Sequence, residues 1–263
     1  MHEPWFHCPA LHTGEIPLDA TESRHALRSI RLAPGDALTL FDGAGQVARA
    51  TLVSNRDRRA RPEAVVFVES VQSVPEPTSS LTLIVAACKG ARLDWLVEKA
   101  TELGVTGVTL TEFEHSVVHA GPQHLERLRR TAIEACKQCQ RARLPVFERA
   151  PSLATAISSF ATTDVLVAHL TPEAPTFADW CARHRDAVRN LTVVIGPEGG
   201  FSATELASVT SAGGQFVRLA THVLRVETAA LAAAAQWAGA ELVAFAEMSA
   251  EGKASANARQ GLP

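Results

Sequence analysis

The sequence lacks most of the features that mark a membrane protein or a strongly basic nucleic-acid-binding protein. Its formal net charge is -3, so no overall positive field attracts a polyanion. Apolar runs stay below the roughly 18 to 20 residues that a membrane helix needs, and the first residues lack the basic and apolar segments of a signal peptide. Lysine is scarce, because nearly all cations are arginines. Arginine suits bidentate phosphate contacts, but a GC-rich genome gives the same bias and is the cause we favour.

Cysteine is also sparse, with five residues scattered along the chain. An odd number of scattered cysteines predicts reduced thiols and a cytoplasmic protein. Cys136 and Cys139 form a CxxC pair, but no second Cys or His pair at ligand spacing completes a zinc site. We therefore expect no metal.

The first part of the chain, residues 1–73, is predicted to be a small β-rich domain. Residues 36–53 have the pattern of two strands joined by a tight turn, and 63–71 have that of a further strand. The loop 56–62 between them is dense in arginine. Two prolines and several small polar residues in 74–80 predict a linker to a second domain.

From Leu81 to about residue 247 apolar strands and amphipathic helices alternate. This alternation predicts an α/β domain with a mostly parallel sheet and helices on both faces. The helix that starts near His124 is predicted to end at Pro145, because proline cannot continue it. The tail 248–263 has almost no large apolar residues and is predicted to be disordered.

A glycine-rich turn with Gly196, Gly199 and Gly200 follows one of the late strands. Ser202 and Glu205 form a capping box, which predicts the start of the next helix. The turn lacks the lysine of a phosphate-binding P-loop, and its spacing is not that of the dinucleotide-binding fingerprint. Two interpretations stay open: a tight turn without a ligand, or a backbone that approaches an adenine or a ribose closely.

A second loop, 219–228, also leads from a strand into an alanine-rich helix. It brings Arg225, Glu227 and Thr228 close together. The helix dipole alone accounts for an acid such as Glu227 at this end, but it disfavours Arg225. A functional role is therefore expected for these three side chains.

The segments IGPEGGFS and VLRVETA together resemble the signature of the RsmE family of 16S ribosomal RNA uridine-N3 methyltransferases, which belongs to the SPOUT superfamily. Further segments resemble the family in the same order: HALRSIRLAPGD (25–36), CKGARLDWLVEKATELGV (88–105), HSVV (115–118) and KQCQR (137–141). The resemblance covers nearly the whole chain. It implies a PUA-like, RNA-binding β-barrel in 1–73 and a SPOUT methyltransferase domain in 81–247, with a trefoil knot in its C-terminal half.

The resemblance also implies S-adenosylmethionine as cofactor, S-adenosylhomocysteine as product, the 16S rRNA of the 30S subunit as partner, and a homodimer. The candidate catalytic residues are Arg225, Glu227 and Thr228, with Glu227 as a base or cofactor-ordering acid and Arg225 as a donor to the uracil oxygen. The candidate cofactor-binding residues are His169, Ile195, Gly196, Pro197, Glu198, Gly199, Gly200, Leu219, Ala220, Val223, Leu224, Arg225, Val226 and Thr228. The candidate RNA contacts are Arg28, Arg31, Lys89, Arg92, Gln138 and Arg141, although each also suits an ordinary solvated surface.

The chain departs from the family pattern at several positions. It has His115 and His222 where the family usually has arginine, Ala220 and Gln140 where it has glycine, and Lys137 where it has glutamate. Two other classes of function stay open. One is an RNA-binding or ribosome-assembly factor that kept the fold without turnover, and the other is a different α/β enzyme acting on a small nucleotide. A methyltransferase acting on another RNA site is a third possibility.

Overall fold

The protein is described by a computed structural model that covers residues 3–57, 62–88, 90–118, 121–160, 163–184 and 189–260. It divides into two compact units. Unit 1 comprises Met1–Pro77 together with Arg129–Leu144, and unit 2 comprises Thr78–Leu128 together with Pro145–Pro263. The first boundary, between Pro77 and Thr78, falls inside the segment 74–80 where the sequence predicts a linker.

Unit 1 is built on a six-stranded sheet whose order is β1-β3-β4-β5-β2, with β6 paired to β4. Its strands are β1 (Trp5–His7), β2 (Gly14–Pro17), β3 (Ala37–Phe41), β4 (Gln46–Asp57), β5 (Pro62–Val68) and β6 (Gln72–Ser73). The β1–β3 pair is parallel and the other pairs are antiparallel. Every second residue of β5 is buried, from Pro62 to Val68, as expected of a strand with one face on a core. The predicted hairpin over 36–53 is confirmed by the β3–β4 pair.

Two short helical segments complete the N-terminal part of unit 1. Helix α1 (Ala20–Arg24) begins after Asp19, whose side chain accepts hydrogen bonds from the backbone N–H groups of Thr21 and Glu22. A π-helical segment, His25–Ile30, follows directly and ends at Arg31, which has a left-handed φ of 64°. The sequence pattern gave no sign of this π-helix.

Unit 2 contains a second six-stranded sheet in the order β12-β10-β11-β7-β8-β9. Its strands are β7 (Ser80–Ala86), β8 (Gly107–Thr111), β9 (Val146–Ala150), β10 (Asp164–Ala168), β11 (Asn190–Ile195) and β12 (Gln215–Val217). All of these pairs are parallel, which confirms the predicted sheet type. The central strands β7 and β11 are buried along nearly their whole length, as expected of strands covered on both faces.

Helices cover the sheet of unit 2. The helices of the chain beyond α1 are α2 (Ala91–Glu102), α3 (Pro122–Cys139), α4 (Leu153–Ser158), α5 (Phe177–His184), α6 (Ala203–Ser211) and α7 (Val226–Gln260). Residues of α4 and α6 share a core cluster with Ile84, Val167 and Val194 of the strands. Helix α7 packs on β7 and β11, and α2 and α5 pack on α7. None of the helices in the described ranges is long and apolar enough to cross a membrane.

The compact units differ from the predicted ranges in one respect, because Arg129–Leu144 groups with unit 1 although it lies within the predicted range 81–247. Polar contacts explain this. The ammonium of Lys137 lies 3.0 Å from Glu22 Oε1. The guanidinium of Arg143 donates to the carbonyl oxygens of Ala44 and Val74, and the Leu144 N–H donates to Gly43 O.

The ends of two helices also differ from the prediction. Helix α3 ends at Cys139, well before Pro145, because Gln140 adopts a left-handed φ of 60° and the Arg141 N–H bonds to Cys136 O. The tail predicted to be disordered continues α7 as far as Gln260, and residues 261–263 lie outside the described ranges. A shortage of large apolar residues argues against burial, whereas the tail's alanine and glutamate content favours helix. Short elements such as β9 and α4 were not predicted from the sequence pattern.

Candidate functional site

The glycine-rich turn connects β11 to α6, as its sequence predicts. The predicted capping box is confirmed: the Ser202 N–H donates to Glu205 Oε2 (2.8 Å), and the Glu205 N–H donates to Ser202 Oγ (3.3 Å). The other oxygen, Glu205 Oε1, accepts from the Glu114 N–H at 2.9 Å. One carboxylate therefore fixes both the start of α6 and the segment that follows β8.

Two glycines of the turn allow unusually close packing. A Cβ added to Gly196 would lie 2.8 Å from the ring of Phe201, and one added to Gly199 would lie 2.7 Å from the Cβ of His115. Both distances are shorter than real Cβ atoms tolerate. The His115 Nδ1 also lies 3.2 Å from Gly200 O. The glycines thus bring the backbone of the turn against its neighbours, which supports more than a generic tight turn.

The first cavity, of about 240 Å³, lies at the carboxyl ends of β10 and β11. This is the position at which open α/β sheets bind ligands. The candidate cofactor residues that line it are His169, Ile195, Gly196, Pro197, Glu198, Gly200, Leu219, Ala220, Val223, Leu224 and Val226. Sequence reasoning did not select five further lining residues, namely Ala168, Leu170, Phe201, His222 and Ala229. Three candidates are not among its lining residues: Gly199, Arg225 and Thr228.

His169 forms part of one wall of the first cavity. Its Nδ1 lies 2.6 Å from Thr171 Oγ1, and its backbone N–H donates to Val217 O. Its ring packs against those of Phe201 and Phe216, with centroids 6.3 and 5.6 Å away. These contacts fix the imidazole beside the glycine turn. In the sequence, the pattern of β10 shows only that a strand ends just before His169.

A second, more open cavity adjoins the first. Its walls come from the start of α2 and from the loop that leads into α7, and its lining residues are Ala91, Arg92, Trp95, Val223, Leu224, Arg225, Glu227 and Thr228. Val223 and Leu224 line both cavities. The three candidate catalytic residues are therefore together, but in the second cavity and not the first.

Glu227 is the buried acid of the second cavity, with 7% of its side chain exposed. Its Oε1 lies 3.7 Å from Arg92 Nη1, and the same nitrogen lies 3.5 Å from Glu198 Oε1. Glu227 Oε2 is buried and has no hydrogen-bond partner among the described residues. A buried carboxylate oxygen without a partner has unmet hydrogen-bonding capacity, which a ligand N–H would satisfy if it reached that oxygen.

Arg225 and Thr228 are exposed on either side of Glu227. No carboxylate within the described ranges forms an ion pair with Arg225. Its guanidinium is therefore available to a ligand at the second cavity.

The candidate RNA contacts are spread over both units. Arg28 in the π-helix, Arg31 at its end and Gln138 in α3 are exposed in unit 1. Arg141 is half-buried in the same unit, and burial lowers the pKa of its guanidinium. Arg92 lines the second cavity in unit 2. Lys89 and residues 58–61 of the arginine-dense loop lie outside the described residues.

The cysteines carry no visible chemistry. None of the five forms a disulfide within the described residues. Burial raises the pKa of Cys88 to about 11, with a further contribution from the charge of Glu227, and raises that of Cys136 to about 12. Buried, protonated thiols are poor nucleophiles. Within the described ranges no three His, Cys, Asp or Glu side chains are grouped as they would be to hold a metal ion.

Comparison with known families and proteins matches both units. A family model described as an RNA methyltransferase domain matches residues 74–238, and one described as an RNA methyltransferase PUA domain matches 18–58. The chain is 30% identical to the ribosomal RNA small subunit methyltransferase E of Mycobacterium bovis, over 84% of this chain and 85% of that protein. The corresponding protein of Synechocystis is 26% identical, over 84% of this chain and 72% of its own length.

Two solved structures are similar over almost their whole length. One is the ribosomal RNA small subunit methyltransferase E from Neisseria gonorrhoeae bound to S-adenosyl methionine, with a TM-score of 0.76, 29% identity, and coverage of 89% of this chain and 96% of that one. The other is a probable rRNA-methyltransferase from Porphyromonas gingivalis, with a TM-score of 0.76, 32% identity and the same coverage, 89% and 96%.

Proposed function

The chain belongs to the ribosomal RNA small subunit methyltransferase E family of RNA methyltransferases, and on this premise we propose that it transfers a methyl group from S-adenosylmethionine to N3 of a uridine in 16S rRNA. The observation that carries the proposal is the pair of adjoining cavities with a shared wall at Val223 and Leu224. One cavity suits the methyl donor and the other suits the acceptor base.

The first cavity fits the adenosine part of the donor. Its walls are mostly apolar side chains and the backbone of the glycine turn, and such walls suit a flat base and a ribose. The close packing of Gly196 on Phe201 leaves no room there for another side chain. The residues that would hold the cofactor are those of the turn at 196–200 and of the loop at 219–226. The relative from Neisseria gonorrhoeae, which binds S-adenosyl methionine, supports this assignment.

The second cavity fits the chemistry of a uracil imide. S-adenosylmethionine supplies a methyl group that its sulfonium charge already activates for in-line displacement. Glu227 accepts the N3 proton of uracil at its unpartnered Oε2. Arg225 donates to the uracil oxygen where negative charge develops, and Thr228 orients the base or the carboxylate.

RNA recognition follows from the position of the reacting atom. The N3 of uracil lies on the Watson–Crick edge, so the base has to be unpaired or flipped out before it enters the cavity. We assign RNA contacts to Arg28, Arg31, Gln138 and Arg141 in unit 1, and to Lys89, which lies outside the described residues. The match of residues 18–58 to a PUA domain supports RNA binding by unit 1.

Several properties of the family complete the proposal. They are S-adenosylhomocysteine as product, the 30S subunit as the particle that is recognised, a homodimer, a cytoplasmic location, and a trefoil knot in the C-terminal half of unit 2. Support for them comes from family membership, and the all-parallel sheet of unit 2 is compatible with the knot.

A transfer assay tests the proposal. The protein is incubated with labelled S-adenosylmethionine and either naked 16S rRNA or 30S particles that lack the modification, and the labelled nucleotide is mapped. We expect label at N3 of one uridine. Label at a different nucleotide would overturn the target, and no transfer to either substrate would overturn the activity. Failure to bind S-adenosylmethionine would favour an assembly factor that kept only the fold.

A further inference from the structure

We propose that Arg92 is a positioning residue of the methyl-transfer site, which acts through Glu198 and Glu227, and that it is not a contact to RNA. This inference rests on the proposed function, and it replaces the RNA-binding role that the sequence suggests for Arg92. Its basis is the arrangement of one guanidinium between two carboxylates at the boundary of the two cavities.

Arg92 joins three separate segments of unit 2. It is the second residue of α2, close after the end of β7. Its Nη1 lies 3.5 Å from Oε1 of Glu198, in the glycine turn of the first cavity, and 3.7 Å from Oε1 of Glu227, in the first turn of α7. The turn that would hold the methyl donor and the acid that would take the proton therefore share one cation.

Burial explains why Glu227 needs this cation. Only 7% of its side chain is exposed, and an isolated buried carboxylate is strongly disfavoured unless a cation or hydrogen bonds compensate it. Within the described ranges Arg92 is the cation found within 4.0 Å of Glu227. The neighbouring Arg225 forms no ion pair with Glu227 there. Arg92 keeps 41% of its side chain exposed, so the pair lies at the edge of the cavity and not in a sealed core.

The two oxygens of Glu227 are used differently. Oε1 faces Arg92, while Oε2 has no partner among the described residues. An interaction on one oxygen restricts rotation of the carboxylate and leaves the second oxygen as the acceptor. Because Arg92 also contacts Glu198, movement of the glycine turn and orientation of Glu227 are linked.

Local charge argues against a phosphate contact at Arg92. One positive group faces two carboxylates, so the cluster of Arg92, Glu198 and Glu227 is net negative. A phosphate at Arg92 itself would meet both acids, whereas Arg225, which lines the same cavity and has no ion pair in the described ranges, is the cation left for an anionic group.

The test compares Arg92→Ala and Arg92→Lys with Arg149→Ala. Arg149 is a matched control in unit 2, because its side chain is 39% exposed and pairs with a single acid, Glu112, at 2.9 Å. Three quantities are measured for each full-length variant: the Kd for S-adenosylmethionine, the Kd for 16S rRNA as a function of salt, and the single-turnover rate as a function of pH. Melting temperatures verify that each variant is folded.

A positioning role predicts a specific pattern. In Arg92→Ala the single-turnover rate falls at least tenfold, the Kd for S-adenosylmethionine rises several-fold, and the acid limb of the pH–rate profile moves to higher pH. The Kd for RNA and its salt slope stay within twofold of the Arg149→Ala values. Arg92→Lys recovers part of the rate, because an ammonium supplies the charge without the geometry of the guanidinium. In the double variant with Glu227→Gln, the loss of rate is smaller than the product of the two single losses.

The opposite pattern would overturn the inference. An RNA contact predicts weaker RNA binding, a salt slope reduced by about one, and unchanged binding of S-adenosylmethionine. Additive losses in the double variant would also contradict action through Glu227. The proposed function can fail separately: if the unaltered protein transfers no methyl group to RNA, the cofactor Kd of Arg92→Ala still decides whether Arg92 positions the turn.

Discussion

Two buried glutamates, Glu22 in unit 1 and Glu227 in unit 2, have nearly the same local chemistry and different surroundings. Each has an Oε2 atom without a hydrogen-bond partner in the described part of the chain, and each faces one cation. Glu22 is 5% exposed and lies 3.0 Å from Lys137, which is itself 7% exposed. Glu227 is 7% exposed, but Arg92 beside it is 41% exposed and lines an open cavity.

This difference distinguishes an ion pair with two buried members from an ion pair at the wall of a cavity. Both members of the Glu22–Lys137 pair are enclosed, and it joins α1 to the later half of α3. Burial raises the pKa of Glu22, although Lys137 opposes the shift. At Glu227 the partner cation is partly exposed and lines an open cavity. Burial of a charge therefore indicates a site only where a cavity accompanies it.

The largest effect is expected from breaking the enclosed pair. Lys137→Ala leaves Glu22 without its cation and should lower the free energy of unfolding by about 3 kcal/mol, as is typical when one partner of a buried pair is removed. Chemical denaturation measures this. Lys99→Ala is the control, because Lys99 pairs with Glu98 and Glu102 on an accessible helix surface. Equal losses in the two variants would show that the enclosure of Lys137 is irrelevant.

Removal of the charge of Glu227 should lower the turnover rate and leave the fold intact. We expect Glu227→Gln to lower the single-turnover rate about 100-fold, which corresponds to about 2.7 kcal/mol in the activation free energy. Glu22→Gln should change stability and keep the rate of the folded fraction within twofold. Full turnover by Glu227→Gln at neutral pH would remove Glu227 as the base.

The pH dependence of the stability of unit 1 gives a smaller effect that also tests the comparison. Burial lowers the pKa of His7 below 6.5, so the folded state binds this proton less readily than the unfolded state. The stability that His7 contributes is therefore present above about pH 6.5 and is lost as the pH falls through its lowered pKa. The raised pKa of Glu22 acts in the opposite direction.

Denaturation at several pH values between 7.5 and 5 measures this effect. His7→Gln should flatten the loss of unfolding free energy on acidification, with His12→Gln, at an exposed position, as the control. An unchanged slope in His7→Gln would contradict the assignment to His7.

The smallest effect concerns the end of α3, next to the enclosed pair. Gln140 has a φ of 60°, in the left-handed region that favours glycine. Gln140→Gly should raise the free energy of unfolding by at most about 1 kcal/mol, since relief of strain exceeds the added entropy of the unfolded chain only slightly. The same measurement serves as a readout, and a loss of stability would show that Gln140 makes contacts that outweigh its strain.

Local patterns predicted most of the fold. The parallel strands of unit 2 are apolar runs, and the Ser202–Glu205 capping box needs only residues three apart. Such signals are contained in the segment that they shape. The glycine turn was found for the same reason, and most of the residues expected to hold a cofactor do line the first cavity.

Features that depend on distant partners could not be predicted in this way. From the sequence alone Arg92 is predicted to contact phosphate. Its two acidic neighbours, Glu198 and Glu227, lie more than a hundred residues further along the chain, so no local pattern reveals them. The assignment of Arg129–Leu144 to unit 1 depends on contacts of Lys137 and Arg143 with the N-terminal segments. The continuation of helix α7 into the tail was not predicted, because amino-acid composition indicates burial better than it indicates helix.

The wall that Val223 and Leu224 share has a thermodynamic consequence. A ligand in one cavity that orders these two residues changes the affinity for a ligand in the other cavity. The factor is the same in both directions, because linkage between two binding equilibria is reciprocal. Val223 is 82% exposed, so a ligand in either cavity has room to cover it. Ligand binding in the two cavities is therefore expected to be coupled.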